Sequence, residues 1–138
     1  MDLANEKQFL DAIRSLIHTG KVKSAHDCSD GGLAVALAEC TFDKGLGAEI
    51  CLPTTESRQL RADSLLFNES SARAVITVAA GDVEAALAHF KNAGITAERI
   101  GTVQGDTLTL HAGTEKLSYS VPTLRAAYEQ AIPKLMES

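Results

Sequence analysis

One stretch constrains this chain more than any other: Ser24-Ala25-His26-Asp27-Cys28-Ser29-Asp30-Gly31-Gly32-Leu33. Before it, Val22–Ala25 is short and β-capable. After it, Leu33, Leu37 and Cys40 fall on one stripe of a helix that runs to about Thr41, and the small Ala34, Ala36 and Ala38 allow close approach to a sheet. A strand turning directly into a helix leaves the first helical N–H groups without partners, and the helix dipole adds partial positive charge there. Gly31 and Gly32 lack Cβ, so another group can approach the backbone closely. The turn therefore reads as an anion cradle, most naturally for phosphate. Asp27 and Asp30 complicate that reading, because carboxylates repel phosphate. They suit Mg²⁺ or sugar hydroxyls, or Asp30 is simply a helix cap. The bland reading needs no ligand: Ser29 or Asp30 caps the helix and His26 is a satisfied buried imidazole. The spacings GxxxxGK[ST] and GxGxxG are both absent.

The rest of the chain reads as alternating helices and strands. Residues 3–18 place Phe9, Leu10, Ile13, Leu16 and Ile17 on one helix face, with Gly20 as the stop. Leu46–Leu52 is a strand closed by Pro53, and Thr55 is a candidate cap for a short helix through about Leu66. Ala74–Ala79 is the clearest strand, since Val75, Ile76, Thr77 and Val78 are all β-branched. Gly81-Asp82 opens a helix carrying Val83, Ala86, Leu87 and Phe90, and Asn92-Ala93-Gly94 ends it. Ala97–Val103 and Thr107–Ala112 flank Gln104-Gly105-Asp106 as a hairpin, and Lys116–Val121 pairs next to give three antiparallel strands. Pro122 starts a last helix with Leu124, Tyr128, Ile132 and Leu135 on one face, which Pro133 should kink or end early. The expected class is α+β, with helices packed on a mixed, largely antiparallel sheet in a single domain over residues 1–138.

Composition narrows the function. The 138 residues carry 13 basic and 18 acidic side chains, a formal net charge of −5, without the basic stripe of a nucleic-acid binder. Only 4% are aromatic and none is Trp, so bases find few stacking platforms. No apolar run approaches the ~20 residues that span a bilayer, and the acidic, amphipathic start MDLANEKQFLDAI is unlike a signal peptide. Cys28, Cys40 and Cys51 are odd in number and form no CxxC pair, which favours a reducing cytoplasm over a disulfide framework or structural zinc. All three are expected in the core. His18, His89 and His111 have no second ligand at metal spacing and read as surface or packing residues.

The run SAHDCSDGGLAVALAE closely resembles the glycine-rich signature of the C-terminal domain of phosphoribosylformylglycinamidine synthase, within the aminoimidazole ribonucleotide synthetase-related superfamily. Its D-x-[ST]-x-G-G-L core is similar to that of sibling aminoimidazole ribonucleotide synthetases and of selenide-activating and hydrogenase-maturation proteins. Leu65-Leu66-Phe67-Asn68-Glu69-Ser70-Ser71-Ala72-Arg73 resembles the LFxESxxR segment that favours the purine synthetase. The resemblance implies an ATP-dependent C–N ligase. Such an enzyme converts formylglycinamide ribonucleotide and ammonia to the amidine, using Mg²⁺, with the ammonia supplied by a glutaminase subunit or fused domain. It further implies that this chain is the C-terminal substrate-binding domain of a longer synthetase, separated from its N-terminal ATP-binding domain and inactive alone. On this reading His26, Asp27, Ser29, Asp30, Gly31, Gly32, Glu69 and Arg73 bind substrate, Asp27 is the candidate metal ligand, and no residue is assigned to catalysis. If residues 69–73 were helical, Glu69 and Arg73 would instead pair at i,i+4 for about 0.2–0.5 kcal/mol. A different class remains open, a non-catalytic module that senses a phosphorylated metabolite.

Overall fold

Strand β2 (Ala48–Leu52) alternates buried and exposed residues, AEICL, and this alternation organises half of the molecule. The computed structural model describes residues 3–52 and 62–136. Its helices are α1 (Leu3–His18), α2 (Gly32–Phe42), α3 (Ala62–Phe67), α4 (Val83–Asn92) and α5 (Val121–Met136). Its other strands are β1 (Val22–Asp27), β3 (Ala74–Val78), β4 (Gly101–Val103), β5 (Thr107–Ala112) and β6 (Glu115–Ser120). The expected cap at Thr55 and the closure at Pro53 lie outside the described residues.

The chain divides into two compact units, one drawn from Met1–Cys28 and Ser70–Arg99, the other from Ser29–Glu69 and Ile100–Ser138. In the first, β1 and β3 form a two-stranded antiparallel sheet. Two strands alone are marginal in water, and here helices supply the missing burial. Ala12 and Leu16 of α1 meet Ala86 and Phe90 of α4, with Val22, Ile76 and Val78 packed against them.

In the second unit the strand order is β4-β2-β5-β6. β2 runs parallel to β5, aligning Ala48 with Leu108, Ile50 with Leu110 and Leu52 with Ala112, so the buried sets of both strands coincide. β4 lies antiparallel on the other side of β2, and β6 antiparallel beside β5. The expected hairpin between the strands flanking Gln104-Gly105-Asp106 is therefore corrected: β2 lies between β4 and β5. The loop arches over the start of β2, where the Gly47 N–H donates to the Gly105 carbonyl (2.8 Å) and the Gln104 N–H donates to the Gly47 carbonyl (3.0 Å). A central strand with apolar residues on every second position satisfies two ladders at once, which a two-strand hairpin cannot. The strand before the loop also shortens, from the expected Ala97–Val103 to Gly101–Val103.

Three of the four strand pairings are antiparallel, so the α+β class with mixed, largely antiparallel pairing holds, spread over two sheets rather than one. Helix α2 packs against α3 and α5. Helix α5 continues through Pro133 to Met136. The expected early stop does not occur because the Glu129 carbonyl that Pro133 leaves unbonded lies on an exposed turn, where water can serve it. The apolar stripe expected of α5 is largely exposed too: Tyr128, Ile132 and Leu135 are 56%, 70% and 76% accessible. Cys28 is buried and Cys40 half-buried, but Cys51 is exposed, because it takes an outward position in the alternation of β2. No described helix is long and apolar enough to cross a membrane.

Candidate functional site

The residues singled out by the sequence fall on both units. In the second unit, Ser29-Asp30-Gly31-Gly32 makes the turn into α2. Gly31 (φ 80°) and Gly32 (φ 66°) both adopt left-handed backbone, which strains any residue with a side chain. Gly31 itself is the N-cap of α2, so neither Ser29 nor Asp30 caps the helix. The cap comes from elsewhere: the Gly31 N–H donates to Glu69 Oε1 at 2.8 Å. The Gly32 N–H donates to the Ser29 carbonyl at 3.1 Å. Two donors of the expected anion cradle are thus already engaged, one of them by a carboxylate of the same chain.

Gly32 has a second reason to be glycine. A Cβ there would lie 2.8 Å from the Phe67 carbonyl carbon and 2.9 Å from the Asn68 oxygen. The space left by the missing side chain is filled by backbone just after α3. The two segments that carry the family resemblance, Ser29–Gly32 and Phe67–Glu69, therefore lie against each other. Helix α3 ends at Phe67, so Glu69 and Arg73 share no helix face and the condition for an i,i+4 pair is not met; Glu69 instead accepts from the Gly31 N–H.

In the first unit, β1 carries His26 and Asp27 to the end of its ladder with β3, where Asp27 aligns with Ala74. The ladder extends one step further, the Cys28 N–H donating to the Arg73 carbonyl at 2.9 Å. Just before Arg73, Ala72 holds φ 57°, the left-handed region, and is the one described non-glycine residue to do so. Such a conformation costs on the order of 1–2 kcal/mol. His26 Nδ1 donates to the Asp27 carbonyl at 2.7 Å, which places the proton of a neutral imidazole on Nδ1. The Asp27 side chain is 80% exposed, its Oδ1 3.9 Å from His26 Nδ1. Burial pushes the Cys28 thiol above its ordinary value, while the Arg73 guanidinium pulls it down and Asp27 pushes it up. A buried, neutral thiol is not a nucleophile.

Among the described residues no three His, Cys, Asp or Glu side chains group so as to hold a metal ion. Asp27 offers a single exposed carboxylate, and Mg²⁺ is commonly held by one or two carboxylates with waters and substrate phosphates completing its shell.

The sequence reading brought out the glycines, His26, Asp27 and Glu69, but not the bond from Glu69 to Gly31 or the packing of Phe67-Asn68 on Gly32. The chemical signal for both is a glycine pair facing a carboxylate-bearing segment 38 residues away, which no local periodicity encodes.

Comparison with known proteins gives a family and a fold. The PurL subunit of phosphoribosylformylglycinamidine synthase from Sinorhizobium medicae is 39% identical over 136 residues, which cover 99% of this chain and 17% of that protein. The PurL subunit from Chelativorans sp. is 39% identical over 141 residues, covering 99% of this chain and 18% of that protein. The chain thus spans less than a fifth of these relatives. Among solved structures, T. maritima PurL complexed with FGAR superposes with a TM-score of 0.78 at 21% identity, over 90% of this chain and 21% of that one. T. maritima PurL complexed with ATP superposes at 0.74 and 20% identity, over 86% of this chain and 21% of that one. These likenesses concern the fold. Residues 1–112 match the family described as AIR synthase related protein, C-terminal domain, and the chain belongs to that family.

Proposed function

We propose that this chain is the C-terminal, substrate-binding domain of a phosphoribosylformylglycinamidine synthase of the PurL type. The observation that carries the reading is the identity of 39% to PurL subunits over nearly the whole chain. The seating of Phe67-Asn68-Glu69 on the glycine turn supports it, because the segment that favours the purine synthetase over its siblings holds the shared signature in place.

In the proposed whole enzyme, ATP phosphorylates the amide oxygen of formylglycinamide ribonucleotide, and ammonia then displaces phosphate to give the amidine, ADP and inorganic phosphate. This chain takes no part in the phosphoryl step. Its part is to contact the ribonucleotide or hold such contacts: Ser29, Asp30, Gly31, Gly32 and Glu69 on one unit, and His26, Asp27 and Arg73 on the other. ATP and Mg²⁺ enter mainly through an N-terminal domain of the parent chain, and ammonia comes from a glutaminase subunit or fused domain. The setting is cytoplasmic, as suits a biosynthetic ligase with free cysteines. Asp27 acts through its charge on substrate or as one exposed carboxylate beside an ion held elsewhere.

A chimera tests this. Replacing the matching 136-residue segment of Sinorhizobium medicae PurL with this chain should retain amidine formation from formylglycinamide ribonucleotide, ATP and ammonia, while the chain alone gives no turnover. A folded chimera that still binds ATP but no longer binds the ribonucleotide refutes the proposal.

A further inference from the structure

We propose that the apolar stripe of α5 docks on an apolar surface that lies elsewhere in the same parent synthetase chain. The stripe starts inside its own unit. Val121 is 2% exposed, and at Tyr128 the helix still rests on α2, its ring centroid 5.5 Å from that of Phe42 and its hydroxyl bonded to Glu39. Ile132 and Met136 continue the stripe at i+4 and i+8 from Tyr128, yet they are 70% and 81% exposed. Every residue from Ala127 to Met136 is exposed, on all sides of the helix. A segment so open gains little from packing, and Pro133 within it removes a helical hydrogen bond, so by itself it is a weak helix. Large apolar side chains continuing a buried stripe mark a contact surface, unlike single scattered ones.

The family match ends at residue 112, before α5, whereas the match to PurL subunits runs over 136 residues and takes the helix in. Helix α5 therefore goes with PurL-type chains and not with the domain shared across the wider family. The match covers 17% and 18% of two such subunits, which leaves more than four fifths of each to supply a surface. The size of the stripe also selects a tethered occupant. A free partner or a second copy needs about 20–30 residues a side, and Tyr128, Ile132 and Met136 with their neighbours fall short of that. A surface on the same chain is held at an effective concentration on the order of millimolar, so a small contact suffices. Arg125 and Glu129 beside the stripe pair with each other at 2.7 Å, which leaves apolar contact as its chemistry. The inference rests on the proposed function for the identity of the parent chain.

Accessibility of α5 tests this. Ile132→Cys, labelled with iodoacetamide and read by mass spectrometry, should react quickly in the isolated chain. In the chimera of Sinorhizobium medicae PurL described above it should react at least about tenfold more slowly, because a tethered surface stays docked most of the time. Amide hydrogen exchange over residues 127–136 of the unsubstituted proteins reads the same protection without a variant. If the chimera does not fold, the cysteine goes into Sinorhizobium medicae PurL itself, at the position aligned with Ile132, and should label slowly until that subunit is denatured. Equally fast labelling in the isolated chain and in the full-length protein overturns the inference. Protection in the isolated chain that grows with its concentration assigns the stripe to a second copy and overturns it too. Protection that appears only when the glutaminase subunit is added assigns the stripe to that partner, with the same consequence.

The docking and the proposed function fail separately. A chimera with α5 protected that binds ATP but no ribonucleotide refutes the proposed function and leaves the docking standing. A chimera that forms the amidine with α5 open refutes the docking alone.

Discussion

Glu69 Oε1 lies 2.8 Å from the Gly31 nitrogen, so a carboxylate 38 residues downstream performs the capping that helices usually draw from the residue at their own first turn. A side-chain cap contributes about 0.5–2 kcal/mol. Because Glu69 is exposed, Glu69→Ala is expected near the lower end of that range, at about 1 kcal/mol or less, read as a fall in the urea midpoint at constant slope. An unchanged midpoint would mean that water caps α2 equally well.

Two left-handed glycines should respond very differently to alanine. At Gly20 (φ 74°) nothing lies within 4 Å of a built Cβ, so Gly20→Ala carries only backbone strain, about 1–2 kcal/mol. At Gly32 the same strain adds to contacts of 2.8 and 2.9 Å with Phe67 and Asn68 backbone, and the loss should exceed that of Gly20→Ala by about 1–3 kcal/mol. Equal melting curves for the two variants would contradict the close approach.

Apolar residues on α1 and α5 should divide by burial rather than by helix periodicity. Leu16 is 2% exposed within the α1–α4 core, and Leu16→Ala should cost about 2–5 kcal/mol. Ile132 is 70% exposed, and Ile132→Ala should stay within about 0.5 kcal/mol in this chain. Chemical denaturation of both variants checks the contrast, which fails if Ile132→Ala costs as much as Leu16→Ala.

The cysteines should label in order of exposure. Cys51 reacts with iodoacetamide in the native state, whereas Cys28 is protected by burial and by a thiol held neutral to higher pH. Mass spectrometry after short exposure reads this directly, and labelling of Cys28 as fast as Cys51 would contradict it. The same displacement has a pH consequence. A thiol raised in the folded state above its ordinary 9.0 binds its proton more tightly there than in the unfolded chain. Its contribution is therefore complete below about pH 9 and is lost as pH rises through the higher folded value. Cys28→Ala should shrink the alkaline decline in stability. A decline as steep as the wild type's assigns it to other groups.

Lys7 and Asp11 offer a simpler electrostatic check. The Lys7 ammonium, hydrogen-bonded to Asp11 Oδ2 at 2.6 Å, holds that carboxyl below its usual 3.8. Lys7→Met should return the Asp11 titration, followed by NMR, toward the ordinary value. Any gain in stability from the pair is present above pH 3.8 and fades as pH falls through the lowered folded value. An Asp11 titration that does not move in the variant removes the pair from the account.

Local chemistry was enough to place α1, α2, α4 and the β-branched β3, because helix and strand periods and stop residues act over a few neighbouring positions. It was likewise enough to mark Ser29–Gly32 and Phe67–Glu69 as the two segments of interest. It did not decide that β2 would lie between β4 and β5, since that choice depends on matching Ala48, Ile50 and Leu52 with Leu108, Leu110 and Ala112 across some sixty residues. Nor did it decide that Cys51 faces outward, that α5 leaves Ile132 exposed, or that the helix runs on past Pro133. The turn divides in the same way. Its glycines and carboxylates are written in the sequence, but which anion the helix end holds was settled only when folding brought Glu69 to Gly31, because a hydrogen bond is set by distance in space and not by separation along the chain.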